Sequence, residues 1–260
     1  MRIQYQSDLH LEFCQNNISY SLPEVDADVI VLAGDIGMTK PKYFDWVLRQ
    51  THDIPTVMVL GNHESYGTSI QRALRKWKEA TSGSHVHILD NSQPVIIDDV
   101  RFLGGTLWTD FSLFGAETRE LAMRTVSDRM NDYKKIRYEK NGAYRSFTPE
   151  NARQLHYLTR SFIQRELAAE HRYGPTVVVT HHAPCLGSVP LSAQNDLLAT
   201  AYASDLSELI VEYQPQLWIH GHIHNNTDLR IGQTKVLSNP RGYQGSEINP
   251  QFDPNSVVIV

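Results

Sequence analysis

Cysteine is almost missing from this sequence: Cys14 and Cys185 are the only two among 260 residues, far apart and without a C-x-x-C spacing. That excludes a disulfide framework and a zinc–thiolate site, and leaves both thiols as small hydrophobes. Long apolar runs are missing too. None approaches the ~18 residues of a membrane span, and Met1-Arg2-Ile3-Gln4 leads into a strand with no signal-peptide core, so the expectation is a cytoplasmic protein with no membrane partner. Neither sign of charge dominates, with 24 Lys and Arg against 29 Asp and Glu, a net −5. With 41% hydrophobic and 20% charged residues, this excludes disorder, collagen and coiled coil, and it gives no support for nucleic acid as a partner. Internal repeats, low-complexity tracts and linkers are absent, so residues 1–260 read as one domain. What stands in excess is histidine, with 12 copies, several of them in short clusters.

Short apolar runs alternate with amphipathic stretches, the pattern of an α/β protein. Strands are expected at 3–7, 28–34 and 56–61, with a helix opened by Pro41 between the last two and another over 68–80 capped by Thr68. A further strand falls at 85–89, and Asp98-Asp99 joins a hairpin of 95–97 with 100–103. Residues 115–170 read as a helical insertion, broken near Asn141-Gly142 and restarted at Thr148-Pro149-Glu150. Strands return at 176–180 and 217–220, with a helix at 204–213 between them, and short strands at 227–231, 235–238 and 257–260 close the chain. From Arg119 to Arg165 there are 11 Lys and Arg against 5 Asp and Glu. The simpler reading is the solvated faces of exposed helices; the sharper one is a basic lid over an anionic substrate, which predicts a KM that rises with salt.

Five of these strands end in potential metal ligands: Ser7-Asp8-Leu9-His10, Gly34-Asp35, Gly61-Asn62-His63-Glu64, His181-His182-Ala183-Pro184 and His220-Gly221-His222-Ile223-His224. Open α/β folds build their sites at the carboxyl ends of strands, where loops converge on one crevice. The pairs Asp8/His10 and His222/His224 lie two apart, which puts both members on one side of an extended segment. Gly34, Gly61 and Gly221 allow tight turns and close backbone approach. A donor set of oxygen and imidazole without thiolate favours Mn, Fe or Zn.

D-x-H, GD, GNHE, H-H-x-P and GH-x-H, in this order across residues 8 to 224, resemble the calcineurin-like metallophosphoesterase superfamily. The resemblance implies a four-layer α/β/β/α sandwich with a site for two divalent metal ions (Mn, Fe or Zn). By the same resemblance Asp8, His10 and His224 hold one metal, Asn62, His181 and His222 hold the other, and Asp35 bridges them. His181 rather than His182 follows from aligning the strand end. The implied reaction is hydrolysis of a phosphoester by a hydroxide shared between the metals. Two divalent cations against two carboxylates and a hydroxide leave about +1 to attract a phosphate anion.

In this reading His63 is a histidine beside the site that is not a ligand, free to protonate the leaving alkoxide or hold the phosphoryl group. Its simpler reading is a backbone hydrogen bond at a helix start. Glu64 is expected only to fix its loop, and His182 and His220 to pack or support ligands. His85 and His87 read as half-exposed strand residues, and His52, His156 and His171 as surface residues. Arg241 on a substrate phosphate and Tyr243 stacked on a ring or base are weighed evenly against a solvated turn. Departures narrow the branch. Met38 stands where purple acid phosphatases have an iron-binding tyrosine, and Leu11 and Leu60 break the pattern of Ser/Thr protein phosphatases. Lipid A pathway pyrophosphatases typically have arginine in place of His63, and nothing after Val260 resembles the capping domain of Mre11-type nucleases. H-H-x-P looks most like the phosphodiesterase branch. A phosphodiesterase acting on a small molecule is therefore preferred to a phosphomonoesterase or Ser/Thr protein phosphatase. A metal- or protein-binding module without turnover is the alternative of a different class, and its mark would be lost ligands.

Overall fold

A computed structural model describes residues 1–14, 18–169, 171 and 174–260. Strands β1 (Arg2–Gln6), β2 (Val29–Ala33), β3 (Thr56–Val59) and β4 (Val86–Ile88) pair in parallel in that order, and helices α1 (Pro41–Gln50) and α2 (Ile70–Thr81) cross over between them. Next come the hairpin of β5 (Val95–Ile97) and β6 (Val100–Gly105), helices α3 (Arg119–Arg129) and α4 (Asp132–Lys135), strands β7 (Arg137–Lys140) and β8 (Ala143–Ser146), and helix α5 (Pro149–Ala168). The chain continues through β9 (Thr176–Thr180), α6 (Ser207–Tyr213), β10 (Leu217–His220), β11 (Thr227–Ile231) and β12 (Thr234–Ser238). It ends with β13 (Gly242–Tyr243), β14 (Glu247–Ile248) and β15 (Val257–Ile259). One sheet has the order β15-β1-β2-β3-β4 and the other β11-β12-β10-β9-β6-β5.

The alternation of side chains along these strands makes four layers. Val29, Val31 and Ala33 point one way with Ile3, Val57 and Val59, and meet Phe102, Val177, Val179, Ile219 and Leu237 of the other sheet. Their neighbours Ile30, Leu32 and Met58 point the other way, against Tyr43, Trp46, Val47 and Trp77 of α1 and α2. Leu103, Val178, Trp218 and Val236 do the same against Phe162 and Ile163 of α5 and Leu209 and Ile210 of α6. Strands covered on both faces read as continuous apolar runs, which is why VIVLA and TVVVT show no polar alternation. The α/β/β/α sandwich is therefore as expected. Among the described residues no helix is long and apolar enough to cross a membrane.

Three local expectations change. Ser69, not Thr68, caps α2, its hydroxyl accepting from Arg72 N at 3.1 Å. Asn141-Gly142 does not break a helix. It is the turn of the β7–β8 hairpin, with φ of 53° and 76°, the left-handed pair that a two-residue hairpin turn needs. The polar, exposed flanks RYEK and AYRS hid a strand signal that the Asn-Gly dipeptide itself carried. Glu170, at the end of the expected helical stretch, lies outside the described residues.

His156 is buried in α5 rather than on the surface, with Nδ1 3.4 Å from the Trp108 carbonyl. Burial lowers its pKa below the ordinary value, chiefly because the charged form would lose its hydration. The unfolded chain takes up this proton near pH 6.5 and the folded one resists it. The contribution is thus complete above about pH 6.5 and is lost as the pH falls toward the folded value. The urea midpoint is expected to drop between pH 7 and 5, and to drop less in His156→Gln. Equal drops would remove His156 from the account.

Candidate metal centre and active site

Parallel strands within each sheet carry their carboxyl ends to one edge of the sandwich. The loops after β1, β2, β3, β9 and β10 deliver Asp8 and His10, Asp35, Asn62 and His63, His181, and His222 and His224 to that edge. Their donor atoms group within 4.8 Å as Asp8/His10/His224, His10/Asp35/His63 and Asp35/His181/His222. Asn62 Oδ1 adds an oxygen 3.0 Å from His181 Nε2. Asp35 is the carboxylate common to two groups, with Oδ2 3.5 Å from His181 Nε2, 3.8 Å from His10 Nε2 and 4.0 Å from His63 Nε2.

Local backbone, rather than strand alternation, aims these side chains. Asp8, His10, Asp35 and His222 have φ of 51°, 46°, 54° and 68°. Asp8 and His10 therefore converge through left-handed kinks, which corrects the extended geometry read from their spacing. Such conformations cost on the order of 1–3 kcal/mol each where the side chain gains nothing from them, and they cluster at functional sites. Glycine is required beside them for space. At Gly34, with φ of +88°, a Cβ would lie 2.5 Å from His181 Nδ1, and at Gly221 one would lie 2.7 Å from Asp8 Oδ2.

The residues fit divalent cations on three observations. First, imidazole nitrogens face one another, His10 Nε2 with His224 Nε2 at 3.1 Å and His222 Nδ1 with His181 Nε2 at 3.2 Å, although a neutral ring has one N–H to offer. Second, His181 Nδ1 donates to the Ala33 carbonyl at 2.9 Å, turning Nε2 toward Asp35 and Asn62, the outer hydrogen bond that orients ligand histidines. Third, the cluster calls for positive charge. Burial pushes His181 down, yet Asp35 and Asp8 outweigh it and raise the ring to about 10. His63 is raised to about 9 against the same burial penalty by Asp35 and by Glu12. Burial raises Asp35, but His181, His63 and His10 hold it well below the usual carboxylate range. Burial and the neighbouring His182 and His181 keep His222 well below its usual value, so one of its ring nitrogens keeps a lone pair available.

Around this cluster stand carboxylates with distinct tasks. Glu64 Oε1 and Oε2 accept from the backbone N–H of Asp35, Ile36, Gly37 and Gly61 at 2.7–3.3 Å, tying the loops after β2 and β3 together, as expected of it. Glu12 was not foreseen. Its Oε1 is 2.6 Å from His63 Nδ1 and 3.3 Å from His10 Nδ1, which leaves Nε2 of His63 toward Tyr243 OH at 3.4 Å. Its position two residues after His10 was the available signal. Asp132 and Tyr66 were missed as well. Asp132, 3% exposed, accepts from Asn62 Nδ2 at 2.9 Å and from Tyr66 OH at 2.7 Å, and the Tyr66 ring stacks on His63 at 4.2 Å. Nothing in the sequence links Asp132 to a residue 70 positions earlier.

By occupying the amide nitrogen of Asn62, Asp132 turns its oxygen to the cluster. Asp132→Ala is expected to weaken metal binding by about 10–100-fold, as loss of an outer hydrogen bond does. Calorimetric titration with Mn²⁺ measures it, and an unchanged affinity would reduce Asp132 to a packing role.

A cavity of about 500 Å³ opens over the cluster, lined by Asp35, Asn62, His63, Tyr66, His222, His224 and Tyr243, and also by Arg129, Met130, Tyr202, Ile223 and Glu247. Arg241 is not brought there. Its guanidinium donates to the Leu9 carbonyl and Gln244 Oε1 and lies over the Tyr20 ring, so it does not line the cavity as a phosphate contact. Of the 11 cations between Arg119 and Arg165, Arg129 alone lines it, which is not a lid. His182 donates toward the Thr106 carbonyl at 3.0 Å and packs its ring 4.3 Å from that of His222, and His220 meets Ser188 Oγ at 2.9 Å, so both support the ligand loops and neither belongs to a ligand group. His52 is exposed; His171 is partly buried, its Nε2 2.9 Å from the Asp99 carbonyl.

Fold and site together define a metal-dependent phosphohydrolase. The chain belongs to the calcineurin-like phosphoesterase family, whose sequence profile matches residues 1–226. It is 26% identical over 285 aligned positions to an uncharacterized protein, L509, of Acanthamoeba polyphaga mimivirus, covering 100% of this chain and 97% of the relative. Its fold is similar to that of the phosphopantetheinyl hydrolase PptH of Mycobacterium tuberculosis, with a TM-score of 0.70, 15% identity, and 97% of this chain and 98% of that chain covered. The family implies divalent metal ions, for which the three groups above are the candidate ligands.

Proposed function

We propose that this chain is a phosphodiesterase acting on a small molecule with two divalent ions, and that residues 1–260 work as one cytoplasmic domain. The observation that carries the reading is Asp35, shared by two ligand groups, with His63 turned to the cavity beside it. Asp8, His10 and His224 would hold one ion, Asn62, His181 and His222 the other, and Asp35 both. When bound, such cations draw charge from the phosphoryl oxygens and make water a better nucleophile. In hydrolysis, water oxygen bonds to phosphorus, the ester P–O bond breaks and the leaving oxygen needs a proton. His63 supplies it from Nε2, because Glu12 holds Nδ1 and stabilises the protonated ring. Tyr66 stacks on the ring and keeps it in place, and the Tyr243 hydroxyl stands 3.4 Å from Nε2, on the nitrogen that would carry the proton.

The test is turnover of the Mn²⁺-loaded protein on a panel of phosphomonoesters and diesters, including cyclic nucleotides and single-stranded DNA. Faster cleavage of small diesters supports the reading. A preference for monoesters or DNA replaces the substrate class, and metal binding without turnover on any ester leaves a binding module.

A further inference from the structure

We propose that Arg129 is a second anion subsite, so that the substrate bears another phosphate or carboxylate on the organic group beyond the scissile phosphoester. The inference rests on the phosphoesterase reading of the same cavity. That cavity, at about 500 Å³, has the size of a small-ligand pocket rather than a niche for phosphate alone. Among the described residues lining it, Arg129 is the one Lys or Arg.

Arg129 is held rather than loose. It is the last residue of α3, and three positions on, Asp132 is hydrogen-bonded to Asn62 and Tyr66, so the segment carrying Arg129 is fastened to the candidate metal centre. The intervening Met130 lines the cavity with Tyr202 and Ile223, an apolar wall for the organic span between two anionic groups. The guanidinium itself is under-used. Its carboxylate neighbour is Asp196 at 3.8 Å, and among the described residues no hydrogen bond satisfies its five N–H donors. A half-exposed pair at that distance is worth little, so a ligand anion competes with it readily. A planar fork beside an apolar wall suits bidentate capture of a phosphate or carboxylate, which lysine would not reproduce.

A second charged group on the lining agrees. Glu247 lies 3.7 Å from His224 Nδ1 and lines the same cavity, so a second anion is repelled by it and drawn instead to Arg129, on the segment that Asp132 fastens to Asn62. Recognition would then come from one oriented guanidinium and not from the diffuse charge of the 119–165 stretch.

Non-hydrolysable alkylphosphonates and α,ω-alkane diphosphonates of increasing tether length, titrated calorimetrically into the Mn²⁺-loaded protein, test this directly. At one tether length the diphosphonate is expected to bind about 10–100-fold more tightly than the matching monophosphonate, the range of a hydrogen-bonded charged contact. Arg129→Gln should collapse that ratio to near one. Asp196→Asn, which keeps the oxygen that caps Leu198 N, should enlarge it by freeing the guanidinium. A ratio near one at every tether length in the wild type, or a ratio that survives Arg129→Gln, overturns the subsite. Turnover of nitrophenyl phosphoesters by the same preparation separates the two readings. Cleavage without diphosphonate preference refutes the subsite alone, and an Arg129-dependent preference without cleavage of any ester refutes the phosphoesterase reading alone.

Discussion

Asp35→Asn is expected to lose more activity and more metal than any other single substitution among the candidate ligands. The carboxylate sits in two of the three ligand groups, 2% exposed, with imidazoles of His10, His63 and His181 within 4.0 Å of Oδ2. An amide of the same shape keeps the oxygen that accepts from His63 N at 2.8 Å, so the loop should hold, but it removes the negative charge that faces all three rings. Leaving buried cationic groups without their counter-charge costs about 3–5 kcal/mol, or roughly 10²–10⁴ in a binding constant. Mn²⁺ titration should therefore show both sites weakened by about that factor, while Asp8→Asn weakens mainly the His10/His224 group. Loss confined to one ion in Asp35→Asn would contradict a shared carboxylate.

His63→Ala should behave differently, because Asp8, His10, Asp35, Asn62, His181, His222 and His224 provide the assigned ligands without it. Two metals should still bind. If Nε2 protonates the leaving oxygen, an alkyl phosphoester should lose about 10²–10⁴ in rate, since its alkoxide leaves poorly without a proton. A nitrophenyl ester should lose much less, because nitrophenolate is already a stable anion. The contrast between the two substrates is what identifies the role. Equal losses with both metals retained would assign His63 to holding the phosphoryl oxygens, an interaction indifferent to leaving-group basicity. Glu12→Gln should reproduce the alkyl-ester loss in part, as Glu12 Oε1 at 2.6 Å from Nδ1 favours the protonated ring.

The α/β alternation was legible because its causes are local, and the sandwich followed from the family resemblance. VIVLA, TVVVT and LWIH are apolar without alternation, and each runs into a polar cluster containing glycine, asparagine or histidine. The candidate ligands were legible for the same reason, as each sits within four residues of its strand end. Where the sequence misled, a local signal was overridden. The spacing of Asp8 and His10 suggested an extended pair, but both residues take left-handed backbone. His156 carries a polar side chain on an amphipathic helix, yet α5 turns it into the core under Trp108. Arg241 lies on a loop by the site, but Tyr20 and the Leu9 carbonyl draw its guanidinium away.

By itself the sequence determined the α/β alternation and the set of donors at the strand ends, since each is written in short runs whose chemistry does not depend on distant partners, and the resemblance of those motifs added the family and its layered architecture. Only the tertiary structure decided which groups orient those donors. Glu12 reaches His63 across 51 positions, Glu64 closes the Asp35 loop from the next strand, and Asp132 arrives 70 positions away to turn the Asn62 amide. These hydrogen bonds act over about 3 Å, and residues so distant along the chain come that close only when the sheets have packed and the α3–α4 segment has folded over their edge.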